Sequence, residues 1–391
     1  MSIFQRIFDG IHASGKSSLA IKMFIKIREG FILNKVMSLH DAVAKYVENG
    51  DTLAIGGFTT NRKPYATVSE ILRQGQKDFI VYAGPGGGEV DMLIGEGRVA
   101  AYINCYTANS GYTNVSRRFR AAIEQGKLTY EDYSQDVLML MLHASSLGLP
   151  FLPVRLMKFW GISEEKRKTM PKIENLKCVE IENPMVPGQK VVAVPVPKID
   201  TAIIHVQQAS PDGTCIICGD EFHDIDIAIA ARKTIVTCEE IVSDEFIRRD
   251  PTKTRIFGEC VQAVVKAPYG AWPSQCYAYY DDDDAGLKEY DKASKYQDAE
   301  DAVKQLEKAA VKAAKALEKA PEDEKLKLAA ENAQKTFELA KSGEKIPETF
   351  KDFLEKWVYS CEDQPALLDK IGGSRLMRLK NEPHLGYSTT H

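Results

Sequence analysis

Residues 49–64 read Asn49-Gly-Asp-Thr-Leu-Ala-Ile-Gly-Gly-Phe-Thr-Thr-Asn-Arg-Lys-Pro64, an apolar strand that runs into a Gly-Gly-Phe turn and a basic exit, ahead of a helix-like stretch at 65–74. Val47 and Leu53 to Ile55 suit a parallel strand buried on both faces. Gly56 and Gly57 let the backbone take φ > 0 or pass close to a ligand where that strand ends. In an open α/β sheet, ligands bind at such carboxyl ends of strands.

Working outward, the hydrophobic period alternates between helix and strand. A helix is predicted at about 39–48, then the Gly-Gly-Phe strand, a helix at 65–74 and a strand at 79–83 that enters Gly84-Pro-Gly-Gly-Gly88. Further strands are expected at 99–104, 191–197, 200–207, 234–238 and about 260–267, with a helix over 224–231. This alternation predicts an α/β fold with an open, mostly parallel sheet flanked by helices. Residues 298–346 differ, being rich in Ala, Lys and Glu and broken at Ala320-Pro321. Val303, Leu306, Ala310, Ala313 and Leu317 recur at helical spacing, as do Leu326, Ala330, Ala333, Phe337 and Ala340, which predicts an antiparallel helical hairpin. The run Asp281 to Asp284 just before it reads as a solvated loop.

Composition narrows the function. The 391 residues are 44% hydrophobic with a formal net charge of −4, so a large core is available and no general basic field favours nucleic acid. No run of 18 apolar residues marks a membrane span. The eight cysteines are scattered, which fits a reducing cytoplasm, and the lone pair Cys215 and Cys218 lacks the partners of a zinc site. Residues 1–36 form a basic amphipathic extension, compatible with a targeting segment, a surface helix or translation from upstream of Met37. Within it, residues 10–17 match the phosphate-binding loop pattern letter for letter, but the preceding residues do not form the buried strand such a loop needs.

The 49–64 stretch resembles the first signature of the family I coenzyme A transferases, and Arg62-Lys-Pro-Tyr65 resembles the alpha subunits of the glutaconate-type members. The usual signature has Gly where this chain has Arg62. Similar segments follow in order: NCYTANSGYTNVSRR at 104–118, KLTYEDYSQD at 127–136, residues 192–196, IIHVQQASPDGT at 203–214, residues 237–244 and RRDPTK at 248–253. The likeness covers roughly 37–295 and 347–388. It implies a basic extension at 1–36, a transferase core at 37–297 completed by 347–391, and an insertion at 298–346.

What the resemblance implies about chemistry is transfer of coenzyme A between acetyl-CoA and glutaconate or a related dicarboxylate, as in glutamate fermentation. The acyl-CoA thioester is then a substrate, and no permanently bound cofactor or metal is called for. The family's nucleophile is a Glu in a Ser-Glu-Asn-Gly motif, absent here; Ser69-Glu70 and Ser163-Glu164 lie in helix-like contexts. That Glu is therefore expected on a separate beta subunit, in a hetero-oligomer of alpha–beta pairs. The alternative is a ring-opening hydrolase of coenzyme A thioesters with the same fold. A second carboxylate on the substrate calls for guanidinium or N–H donors. Arg62, Arg117 and Arg118 are candidates, with Ser110 and Tyr112 at a helix start as a hydroxyl pocket. Gly84, Gly86, Gly87 and Gly88 offer a backbone N–H cradle for the thioester or pantetheine. His205 and the turn at 207–213 read as structural.

Overall fold

The computed structural model describes residues 34–154 and 178–381. The phosphate-loop match at 10–17 and the Ser163-Glu164 pair lie outside the described residues. Helix α1 (Leu39–Tyr46) starts on a Ser38 cap and ends where the Val47 N–H bonds the Val43 carbonyl. Val47 thus closes a helix, and the strand expected to include it begins five residues later as β1 (Thr52–Ile55). The chain then alternates through α2 (Tyr65–Gln74), β2 (Phe79–Tyr82), α3 (Gly88–Gly95), β3 (Val99–Asn104), α4 (Arg117–Glu124), β4 (Thr129–Asp132) and α5 (Gln135–Ser146).

Next comes β5 (Phe151–Val154), which joins β6 (Val179–Glu182) and β7 (Lys190–Pro195) in a small antiparallel sheet, order β5-β7-β6. The strand expected at 191–197 therefore lies apart from the main sheet. The main sheet resumes with β8 (Thr201–Ala209), β9 (Cys215–Ile216), α6 (Asp224–Ala230), β10 (Lys233–Ile241), α7 (Asp244–Arg248), β11 (Thr254–Ile256) and β12 (Ala263–Lys266). Parallel pairing runs β12-β10-β8-β1-β2-β3-β4, while β9 and β11 add an antiparallel edge. Residues of β8 are buried almost throughout, as expected of a parallel strand with helices on both faces.

One face of the sheet packs Leu53, Ile55, Val68 and Leu72 together with Phe350, Phe353 and Trp357 from the C-terminal part; the other packs Ala54, Ile204, Ile227 and Val236. Between β12 and that C-terminal part come α8 (Asp284–Ala293) and a hairpin of α9 (Ala299–Lys319) and α10 (Glu324–Lys341). The apolar positions named above form its seam: Leu306, Ala310 and Ala340 are buried and the others half-buried. The acidic run before α8 departs from a solvated loop. Asp283 is buried, caps α8, and accepts from Trp272 Nε1 at 2.6 Å and Arg375 Nε at 2.7 Å. Among the described residues no helix is long and apolar enough to cross a membrane.

Candidate functional site

Strand β1 leads to β2 on one side, whereas β8, reached much later, lies on its other side. This is the topological switch point of the sheet, where a crevice opens beyond the strand ends. Because β1 has four residues and β8 nine, the sheet has a notch past Ile55. The chain fills part of that notch itself. The Gly57 N–H donates to Asp224 Oδ1 at 2.8 Å, and a side chain on Gly56 would meet the same oxygen at 2.5 Å. The group that the Gly-Gly turn admits so closely is thus the chain's own carboxylate. His223 beside it is held below the usual histidine range by burial, and its Nε2 bonds the Ile55 carbonyl at 3.0 Å.

Arg62 is completely buried at the floor of the notch. Its guanidinium pairs with Asp224 and bonds the carbonyls of Asp220 and of His205, the last at 3.1 Å. Its φ of 55° lies in the left-handed region, which explains why Gly suits this position in the signature. The expected direct contact of Arg62 with a substrate carboxylate is not what the structure places there, since Asp224 already occupies the guanidinium.

Lys63, passed over in the sequence, is equally buried. Its ammonium donates to the Pro85 carbonyl at 2.7 Å and the Gly57 carbonyl at 3.4 Å, and sits 3.2 Å from Glu89 Oε1. Glu89 in turn accepts the Gly87 N–H at 3.0 Å, Asn109 accepts the Gly88 N–H at 2.8 Å, and the Gly86 N–H goes to the Tyr106 carbonyl. The Gly84 to Gly88 cradle is therefore filled from within. A side chain at Gly86 would collide with the Tyr102 hydroxyl, so these glycines make room for the protein's own groups.

The helix start at Arg117 is also occupied. Asp91 accepts the Arg118 and Phe119 N–H groups at 3.3 and 2.7 Å and the Tyr290 hydroxyl at 2.8 Å, while burial raises its carboxyl. Arg117 makes a two-pronged bond to Asp291 at 2.7 and 3.0 Å, and Arg118 is buried against Gln297 and the Lys295 carbonyl. Neither arginine reaches the strand ends as a free cation. Ser110 and Tyr112 remain half-exposed. Burial, reinforced by Asp282, Asp284 and Asp283, pushes the Tyr112 hydroxyl up to about 12, so it stays protonated and able to donate. Elsewhere Tyr106 and Tyr277 are 41% and 45% exposed, and the half-buried Phe58 and Phe222 rings lie 4.4 Å apart.

A coenzyme A transferase family model matches residues 36–267. The chain is 54% identical to the A-type subunit of glutaconate CoA-transferase from Acidaminococcus fermentans, an alignment covering 91% of this chain and 97% of that one. The chain belongs to the coenzyme A transferase family. The crystal structure of glutaconate coenzyme A-transferase from the same organism superimposes with a TM-score of 0.71 and 53% identity, covering 90% of this chain and 98% of that chain. A cholesterol ring-cleaving hydrolase IpdA subunit of Rhodococcus jostii is 28% identical, over 61% of this chain and 79% of that one.

Two further groups of titratable side chains in this transferase lie outside the notch. His205 Nε2 lies 2.7 Å from Glu239 Oε1 and its Nδ1 2.9 Å from Thr237, with the Cys276 sulfur close enough to form a three-ligand metal cluster. The Glu239 carboxylate also accepts from the Tyr280 hydroxyl at 2.9 Å and the Tyr269 N–H at 2.8 Å, so its lone pairs serve the core. His205 is the satisfied core histidine expected of it. Asp132, half-buried at the end of β4, has its carboxyl pushed up to about 6 by burial.

Lys63, Glu89, Asn109 and Asp224 were missed because no sequence spacing relates them; Arg62 and Asp224 are 162 positions apart. The available hints were Asp224 at the start of a helix apolar apart from its two aspartates, and a Lys wedged between Arg62 and Pro64.

Proposed function

We propose that this coenzyme A transferase is the alpha subunit of a hetero-oligomer of alpha–beta pairs, moving coenzyme A between acetyl-CoA and glutaconate or a related dicarboxylate. The observation that carries this reading is the 54% identity to the A-type subunit of a glutaconate CoA-transferase, spanning 97% of its length. The chemistry needs a carboxylate that attacks the thioester carbonyl and expels the coenzyme A thiolate, giving a mixed anhydride; the thiolate then attacks the enzyme's acyl carbon, releasing the donor acid and leaving an enzyme-bound thioester, and the acceptor acid reverses the two steps. The carboxylates in the notch are unsuited, because Asp224 and Glu89 are buried and paired with Arg62 and Lys63. A partner subunit supplies the nucleophilic Glu on this reading, and the exposed Tyr106 and Tyr277 are rings it can cover.

This chain contributes Ser110 and Tyr112 as hydroxyl donors to the second carboxylate of the substrate. Of the neighbouring acids, Asp283 pairs with Arg375 and Asp284 with Lys288, while Asp282 accepts the Thr60 hydroxyl and the Gln275 N–H. Arg62 and Lys63 hold the two glycine turns in position rather than touching substrate. The setting is cytoplasmic glutamate fermentation.

The test is coenzyme A transfer from acetyl-CoA to glutaconate, with this chain alone and then with a co-expressed beta subunit. Transfer only in the mixture supports the proposal. Transfer by this chain alone refutes the placement of the nucleophile, and free acid without a new thioester in the mixture moves the reading to hydrolysis.

A further inference from the structure

We propose that the cavity at the root of the helical hairpin is a binding site for a free α-amino acid, its carboxylate on Arg118 and its ammonium on Asp301. The cavity holds about 510 Å³, within the ~300–1,000 Å³ of small-molecule sites. Core and hairpin enclose it together: Gly95 ends α3, Arg118 and Ala122 belong to α4, and Gln297 and Asp301 lie at the start of α9. Val99, the first residue of β3, and Leu128, just ahead of β4, place it at the amino ends of the strands, away from the notch. Arg118 is 4% exposed and lines this cavity. Gly95 admits it, since a Cβ there would stand 2.9 Å from Arg118 Cγ and 2.5 Å from the Phe350 ring. A guanidinium carries N–H donors on Nε and on both Nη atoms. Here Nη1 gives one to Gln297 Oε1 at 2.9 Å, Nη2 gives one to the Lys295 carbonyl at 2.8 Å, and Nε has no partner. Both acceptors are neutral. Among the described residues no carboxylate bonds this guanidinium; Asp91 accepts the Arg118 backbone N–H instead. A buried cation ordinarily has a bonded counter-charge, and the cavity is the space from which one can reach it.

The other charges around the cavity choose between an anion and a zwitterion. Lys304 pairs with Glu300 at 2.5 Å and Lys351 with Asp298 at 3.2 Å. Arg118 and Lys127 then stand against Glu96 and Asp301, so the lining charges balance. A plain anion would upset that balance, and a ligand carrying both charges keeps it. Glu96 accepts the Tyr359 hydroxyl at 2.8 Å and Lys127 is exposed, which leaves Arg118 and Asp301 as the two ends. The half-buried Asp301 takes the Gln297 N–H and the Gln305 side-chain amide, each at 2.8 Å, on Oδ2, and its Oδ1 makes no hydrogen bond. Gln297 receives Arg118 through its side chain and serves Asp301 through its backbone, so it bridges the two charges. An α-amino acid bears its carboxylate and ammonium on a single carbon, the close spacing that such a gap calls for. A guanidinium can hold the carboxylate with two parallel N–H bonds.

The experiment is isothermal titration calorimetry of the full-length chain with glycine, L-alanine, L-leucine and L-glutamate, against acetate and methylamine as the separate charged halves. At least one amino acid should bind saturably, with acetate and methylamine each weaker by about tenfold or more. Asp301→Asn keeps an acceptor for the Gln297 N–H but loses the charge, and should weaken that amino acid about tenfold, one charge-assisted hydrogen bond's worth. Arg118→Gln should weaken it at least as much. Far-ultraviolet circular dichroism verifies the fold of both variants, and Asp301→Asn decides alone where Arg118→Gln does not fold. No saturable binding of any of these amino acids, acetate binding as tightly as the amino acid, or amino-acid binding that survives Asp301→Asn would each overturn the proposal.

Discussion

Replacing Asp224 with Ala probes the energetics at the end of β1. In the native protein Asp224 balances a fully buried guanidinium and accepts the Gly57 N–H. Removing one partner of a buried ion pair costs about 3–5 kcal/mol, because the other charge is left without compensation. Combining it with Arg62→Gly deletes both charges. The second change also relieves a left-handed backbone at φ 55°, worth about 1–2 kcal/mol. What remains is the stranded Gly57 N–H, the Asp220 and His205 carbonyls that lose the guanidinium, and the space left by a fully buried side chain, so the double variant stays destabilised but by less than the sum of the two single changes. Urea unfolding followed by ellipticity, on the same protein in all variants, gives the double-mutant cycle. An Asp224→Ala variant that loses less than about 1 kcal/mol, or losses of the two single variants that simply add in the double variant, would refute the buried-pair account.

Three other outcomes follow from the same geometry. Gly57→Ala, at φ 79° and with its Cβ 2.6 Å from the Arg62 carbonyl, should cost more than about 2 kcal/mol, whereas Gly50→Ala at φ 84° meets nothing within 4 Å and should cost about 1 kcal/mol by the same unfolding assay. Asp132 binds its proton more tightly in the fold, at about 6 against 3.8, so its contribution is intact at low pH and is lost as pH rises through that window. Asp132→Asn should therefore gain about 1 kcal/mol over the parent near pH 8, discounted for partial exposure, and match it near pH 4; a constant difference across pH would contradict this. Tyr112→Phe in the assembled enzyme should lower kcat/KM for a dicarboxylate about tenfold, one hydrogen bond's worth, and leave a monocarboxylate unaffected; equal losses for both would remove Tyr112 from substrate recognition.

Much of the architecture was legible in the sequence. The helix at 65–74 and the strand at 99–104 match the observed α2 and β3 to the residue, because their hydrophobic periods differ sharply and a left-handed Gly75 ends the helix. The hairpin seam was equally readable from spacing alone. Strand 190–195 was not assigned to its own sheet, because a half-buried antiparallel strand carries the same Val-rich residues as a core strand. The site was less legible for a deeper reason. Glycine-rich turns announce that something approaches the backbone without saying whether it is a ligand or the protein itself. Here Asp224, Tyr102 and Asn109 do the approaching, and Asp291 and Asp91 take the donors around Arg117 and Arg118.

Lys63 lends this arrangement a mechanical character. One ammonium grips the carbonyls of Gly57 and Pro85, which belong to turns after different strands. The two turns are thereby riveted together, and a push on one displaces the other. Whatever enters the crevice meets a rim already set as a single stiff jaw, so little ordering is left to be done when it arrives.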